Sequence, residues 1–290
     1  MTHTIPATKL RPMEESDLSA AYALSVEVGW PHRPDDWRFV HEIGNGIVAC
    51  DGAGRIVSSA MWWSFGSEFG TVGMVIVSPR LQARGIGREM MRVLFDQAGD
   101  RTLKLNSTTA GFRLYEAEGF EVIGEIHQQQ GQAVVHAKAG RDAARQAGGS
   151  VRAVDPSDWA RVEALDAEAY GADRRVMLKA LAKRAVGSVF VKNGQVVGFS
   201  FCRPFGRGHA IGPIVASNDA TAIALTAPHL ATHADTFVRA DAPFPEGEFM
   251  HFLELSGLAR VSTVITMVRG PYSRPVGSAK TYAIVNQALG

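Results

Sequence analysis

The residues best suited to chemistry lie in one run, Val75-Ile76-Val77-Ser78-Pro79-Arg80-Leu81-Gln82-Ala83-Arg84-Gly85-Ile86-Gly87. An apolar strand enters a loop, and the loop enters a helix with Met90, Met91, Leu94 and Phe95 at helical spacing. Glycine at 85 and 87 lets the backbone turn tightly and come close to a ligand. The first N–H groups of a helix have no acceptor within it, and the helix dipole puts its positive end there. With Arg80 and Arg84 beside them, these groups form an anion site, and a pyrophosphate suits it. Gly85-Ile86-Gly87-Arg88-Glu89-Met90 lacks the third glycine of a dinucleotide-binding turn, and no Gly-Lys-Ser/Thr of a P-loop is present.

The elements that must position this loop repeat along the chain. Leu10–Leu18 aligns with Val151–Trp159 at an offset of 141. Gly54–Val57 aligns with Gly194–Val197 at 140, and Gly73–Val77 with Gly212–Ala216 at 139. Leu114–Phe120 aligns with Phe252–Leu258 at 138. A period this long means two copies of a domain. The first copy reads as strand Ala7–Arg11, helix Glu15–Val28 and strands Gly46–Asp51, Arg55–Ser64 and Gly70–Val77. Helix Gly85–Ala98, strand Thr102–Asn106, helix Ala110–Ala117 and strands Glu121–His127 and Ala133–Ala137 follow. This predicts an α+β fold with a mostly antiparallel sheet. The polar, glycine-punctuated stretch 140–149 reads as a linker between residues 1–139 and 150–290.

Gln82-Ala83-Arg84-Gly85-Ile86-Gly87 resembles the pyrophosphate-binding motif of the GNAT superfamily of N-acetyltransferases. Leu114-Tyr115-Glu116-Ala117-Glu118-Gly119-Phe120 resembles the family's Leu-Tyr-x-x-x-Gly-Phe segment. The strong match covers Met74 to Phe120 and the wider element pattern most of 7–137. The resemblance implies two tandem GNAT-like domains, each a mixed sheet flanked by helices, with acetyl-CoA as cosubstrate and a small-molecule or peptide amine as acceptor. It places Val75, Ile76 and Val77 along the pantetheine arm, Gln82 to Gly87 around the pyrophosphate, and Tyr115 as the acid that protonates the leaving thiolate. Where the family often has Asn, this sequence has Thr108, and Asn106 is the candidate to replace that hydrogen bond.

The base is open between Glu68, just before the splayed strand, and the histidines His32 and His127. Trp30, His32 and Trp37 follow the first helix, where the family's acceptor pocket is frequently lined, and Trp62 offers a further wall. Of Trp62 and Trp63, alternation puts one inward. In the second copy, Ala216–Ala224 has neither the glycine pair nor the arginine, and Leu255 is the residue near the place of Tyr115. This predicts a degenerate domain that helps shape the acceptor cleft. A non-catalytic acyl-CoA sensor is the alternative to an enzyme.

Of the 290 residues, 30 are Lys or Arg and 29 are Asp or Glu, so no nucleic-acid-binding or polybasic membrane footprint is visible. Two cysteines far apart support neither a disulfide framework nor a zinc site, and the nine histidines show no metal-ligand spacing. No apolar N-terminal segment is present, and no stretch reaches bilayer length, so the expectation is a cytoplasmic protein without a metal.

Overall fold

In a computed structural model, residues 8–136 and 138–290 are described. The first copy runs β1 (Lys9–Pro12), α1 (Leu18–Glu27), α2 (Pro34–Glu42), β2 (Asn45–Cys50), β3 (Ile56–Phe65) and β4 (Phe69–Val77). It continues with α3 (Ile86–Ala98), β5 (Thr102–Ser107), α4 (Phe112–Ala117) and β6 (Glu121–Gln132). After α5 (Ala139–Ala147) the order repeats as β7 (Ser150–Ala153), α6 (Trp159–Tyr170), α7 (Arg175–Ala182), β8 (Val186–Lys192), β9 (Gln195–Phe205) and β10 (Gly208–Ala216). Then come α8 (Asp219–Thr232), β11 (Phe237–Ala242), α9 (Glu248–Leu255), β12 (Ala259–Arg269) and a short added strand, β13 (Lys280–Ala283).

The duplication holds at the level of atoms. Arg11 Nη1 meets Asp17 Oδ2 at 2.6 Å, and Arg152 Nη1 meets Asp158 Oδ2 at 2.6 Å. In each copy the same carboxylate accepts the backbone N–H three residues earlier, from Glu14 and Asp155, at 2.8 Å. Each aspartate thereby closes the turn that starts the first helix.

The two sheets are fused into one, in the order β1-β2-β3-β4-β5-β12-β6-β11-β10-β9-β8-β7. The last long strand of each copy is exchanged. β12 pairs with β5 of the first copy, Ile265 to Arg269 against Ser107 to Leu103. β6 pairs with β11 of the second copy, Phe237 to Ala242 against Gln132 to His127. The two exchanged strands also pair with each other. A core cluster spans both copies, joining Trp63, Met74 and Ile76 to Leu165, Tyr170 and Phe199. A separate cluster lies under α3 and α4 and includes Trp62, Met90, Leu94 and Tyr115.

Several expectations change in detail. β6 is one strand of twelve residues, and 133–136 is not a strand, because β6 must cross from one copy to the other. Ala7 and Ala137 lie outside the described residues. The polar stretch after the first copy is helical from Ala139 to Ala147, with Gly148 in the left-handed conformation as its cap. Its Ala- and Arg-rich composition favours a helix more strongly than its glycines favour a loop. Helix α2 was not anticipated, although Pro34 at its first turn followed by Asp35 and Asp36 signals a helix start. Cys50 and Cys202 are buried free thiols.

Candidate active site

Strands β4 and β5 are parallel and hydrogen-bonded only over Phe69–Thr71 against Thr102–Lys104. Beyond Thr71 they diverge into a wedge. A bulge causes the bend: between the pairs Met61–Gly73 and Ser59–Ile76, two residues of β4 oppose one of β3. Met74, in the bulge, has φ +52°, and Ser59 Oγ donates to its carbonyl at 2.9 Å. The backbone from Val72 to Val77 therefore has no strand partner on its β5 side among the described residues.

The loop after β4 leads to the start of α3 at the open end of this wedge. Gly85 has φ +84° and Ala83 φ +60°, which turns the chain sharply into the helix. Gln82 Nε2 donates to the Val77 carbonyl at 3.1 Å and ties the loop to the strand. From Ala83 to Arg88 no backbone N–H has a partner among the described residues; Glu89 is the first to donate, to Gly85. Ala83, Arg84 and Gly85 are exposed. A Cβ built on Gly85 would meet nothing within 4 Å, so that side of the turn is open. A Cβ on Gly87 would lie 3.2 Å from Leu114, so Gly87 lets α3 and α4 pack closely. The unpaired N–H groups and the positive end of the helix dipole thus face an exposed turn that carries Arg84. Arg80 lies 3.5 Å from Glu27, which offsets part of its charge.

Tyr115 sits in α4 with its ring in the α3 cluster, edge-on to Phe120 at 5.9 Å. Burial pushes its phenol well above the ordinary value, so it carries its proton throughout the neutral range. Thr108 is exposed at the turn into α4, where its Oγ1 accepts from the Gly111 N–H at 3.4 Å. Asn106 is committed elsewhere. Its Nδ2 donates to the Gln287 carbonyl at 2.9 Å and its Oδ1 accepts from Thr266 at 2.7 Å, so the structure gives it a role inside the fold rather than in Thr108's place.

The remaining candidates do not gather at the wedge. Glu68 is exposed at the β3–β4 hairpin tip, beyond the closed end, six residues before the bulge. At about 3.3 Å per residue that is roughly 20 Å of strand. His127 lies on β6, with Nδ1 3.1 Å from Thr263 Oγ1. Trp30, His32 and Trp37 pack toward the second copy: His32 stacks edge-on with Phe205 at 5.8 Å, and Trp37 is fully buried with its Nε1 donating to Ser25. Burial pulls the His32 imidazole down to about 4. Asp36, in the same segment, accepts from the Gly206 N–H at 3.0 Å. Trp62 faces α3 and donates to Gln97 at 3.1 Å. Trp63 is equally buried on the opposite face, because helices cover both faces of this sheet.

The wall that does face the wedge comes from the second copy. Trp63, Thr71 and Lys104 form one row across β3, β4 and β5 on the side of the sheet turned to α6. Opposite them, Tyr170 lies edge-on to Phe65 and Phe69, each at 5.9 Å. Arg174 is 3.7 Å from the Tyr170 ring and is held by Asp166 at 2.6 and 2.9 Å. It also donates to the Gly290 carbonyl at 2.6 Å, which fixes the segment whose Ala288 packs against Gly73. The contacts between the copies join residues 66 or more apart in sequence, so no local pattern announces them. The visible hint was Lys104, a charged residue between two leucines of a strand.

The equivalent wedge in the second copy is closed by the chain itself. β10 and β11 pair only at His209–Val238 and Ala210–Arg239, and β13 then fills the gap by pairing with Ile214 to Ala216. Ile284 donates to the Asp241 carbonyl at 2.9 Å on the other side. At the helix start, Asn218 stands where the first copy has Gly85 and its side chain takes the Thr221 N–H, and Asp219 adds a carboxylate in the first turn. The residue matching Tyr115 is the buried Leu253, four before Gly257 as Tyr115 is four before Gly119; Leu255 is exposed.

Among the described residues no helix is long and apolar enough to cross a membrane, and no cluster of His, Cys, Asp and Glu could hold a metal ion. Acetyltransferase (GNAT) domain models match residues 39–122 and 162–283. An uncharacterised N-acetyltransferase of Bacillus subtilis, YitH, is 24% identical over 287 residues, covering 97% of this chain and 98% of its own. A putative acetyltransferase from Pyrococcus horikoshii shares the fold with a TM-score of 0.78 at 18% identity, over 98% of this chain and 96% of its own. A tandem GNAT protein from the clavulanic acid biosynthesis pathway does so with a TM-score of 0.61 at 17% identity, over 92% of this chain and 100% of its own. With acetyltransferase (GNAT) models matching both copies and a tandem GNAT protein sharing the fold over 92% of this chain, this protein belongs to the GNAT acetyltransferase family in its tandem form.

Proposed function

We propose that the chain is an N-acetyltransferase that moves an acetyl group from acetyl-CoA directly to a primary amine, at a single active site in residues 1–139. The observation that carries this reading is the asymmetry of the two wedges. The first opens onto bare N–H groups from Ala83 to Arg88, whereas the second is filled by β13 and headed by Asp219. The pyrophosphate would rest on those N–H groups with Arg84, and the pantetheine arm would run along the unpaired edge of Val75–Val77. Backbone N–H groups at the bulge would take the charge that develops on the thioester oxygen. Tyr115, protonated at neutral pH, would give its proton to the sulfur. The amine would approach the face lined by Trp63, Thr71 and Lys104 and covered by the second copy.

Calorimetric titration of the whole chain with acetyl-CoA tests this. One site per chain is expected, and two sites or none would overturn it. Gly85→Asp should weaken binding at least 100-fold, because it sets a carboxylate against the pyrophosphate and puts a side chain at φ +84°. Unchanged affinity would remove the loop as the cofactor site. Tyr115→Phe should lower kcat by about 100-fold or more with little change in acetyl-CoA affinity, the size typical of a lost proton donor. Equal kcat would end its acid role.

A further inference from the structure

The row Trp63–Thr71–Lys104 contains a lysine with no anionic partner. Lys104 is half-buried on β5, and its Nζ lies 4.1 Å over the Tyr170 ring. It makes no hydrogen bond or ion pair among the described residues; the nearby carboxylate, Asp166, is engaged by Arg174 at 2.6 and 2.9 Å. Its strand neighbours bring Thr71 and Val268 alongside, neither of them titratable. From α6 and the turn after it come the phenol of Tyr170 and the guanidinium of Arg174, and Tyr272 stands close enough to Tyr170 to disfavour its ionisation. Thr71 Oγ1 is buried there without a hydrogen-bond partner among the described residues, and the Tyr170 phenol is buried beside Arg174. Lys104 Nζ and Thr71 Oγ1, beneath Tyr170 of the second copy, therefore converge beside the closed end of the wedge without a hydrogen-bond partner among the described residues. A polar molecule entering from this side would satisfy them.

We infer that the Lys104 amine takes the proton that the acceptor ammonium must lose before it attacks, with Tyr170 of the second copy holding Lys104 in place. This rests on the activity proposed above. One proton passes from the acceptor nitrogen to Lys104 Nζ. The neutral nitrogen then attacks the thioester carbon, the C–N bond forms and the C–S bond breaks. The second proton leaving the nitrogen replaces the one Tyr115 gives to the sulfur, so the products are the amide and free thiol. Lys104 returns its proton to solvent. Burial, with the Arg174 guanidinium close by, pulls the Lys104 amine down to about 7, which suits a base working at neutral pH. Transfer should therefore rise with pH through about 7 as Lys104 loses its proton.

The test has two arms, on the full chain. In the first, lysines are reductively 13C-methylated and titrated by NMR, with Lys104→Arg assigning the resonance. One lysine should titrate near 7 and vanish from the variant; if every lysine titrates near the ordinary value of about 10, the inference fails. In the second arm, acetyl-CoA is supplied with benzylamine, which is protonated at neutral pH, or with aniline, which is already neutral. Lys104→Met and Lys104→Arg should each lose about 100-fold in kcat/KM for benzylamine, along with the rise through neutral pH, and keep transfer to aniline. Equal losses for both amines would mean a merely structural lysine and overturn the inference. If neither amine is used, the titration decides for Lys104, and failure of acetyl-CoA to bind overturns the activity instead.

Discussion

Residues 1–139 expressed without the rest of the chain should not fold. Cutting there removes β12 from the edge of β5 and leaves β6, twelve residues long, with neither of its two neighbours. It also uncovers the face of Trp63, Met74 and Ile76, which packs on Leu165, Tyr170 and Phe199. Two open strand edges beside a bared apolar face favour aggregation over a cooperative monomer. The expected outcome is insoluble protein, or soluble protein with no cooperative thermal transition and no near-ultraviolet circular dichroism. A sharp transition in the fragment would show that the copies are independent. The same experiment with 150–290 should fail for the mirrored reason, because β11 loses β6.

The second large effect is expected at the buried pair Asp166–Arg174, whose side chains are 1% and 0% exposed. Burial opposes the charge on Arg174, but Asp166 outweighs it and holds the guanidinium above its ordinary value. Asp166→Ala leaves that charge unpaired in the interior and should cost about 3–5 kcal/mol, read as a fall in the urea midpoint. Replacing both residues, Asp166→Leu with Arg174→Met, should recover part of the loss, since no buried charge remains. Full recovery is not expected, because Arg174 also donates to the Leu289 and Gly290 carbonyls. A single variant as stable as the parent would show that the pair is dispensable. Because the pair anchors the segment against Gly73, Asp166→Ala should also disturb the wedge, although Asp166 and Gly73 are 93 residues apart in sequence.

What could be read from the sequence was what local physics encodes. The turn at Gly85 and Gly87, the apolar stripe of α3 and the Gly119 cap each carry their signal within a few residues, and all three were legible. So was the duplication, since four segments kept their order. Strand exchange was not. Nothing in Glu121–Gln132 says whether its neighbour will be β5 or β11, because an antiparallel edge accepts any strand of suitable pattern. Nor does anything local say which copy a segment packs on. Trp30, His32 and Trp37 follow the first helix, as the resemblance implies, yet in a fused pair that segment roofs the other copy's wedge. Its counterpart in the second copy, around Tyr170 and Arg174, roofs the first.

The fused sheet has a consequence for how the two halves can diverge. Exchanged strands between separate chains would make a dimer that dissociates on dilution. Here α5 tethers the partners, so each exchanged strand meets its acceptor at an effective concentration set by the tether rather than by expression level. Such a pair has no need to stay symmetric. One half can have the gap between its strands filled by its own β13 and still be indispensable, because it supplies a strand and a roof to the other. Substitutions should accordingly be tolerated unevenly within the second half: more freely at exposed positions such as Lys192, and hardly at all along Ile265–Arg269 of β12, where the first half reads them as its own.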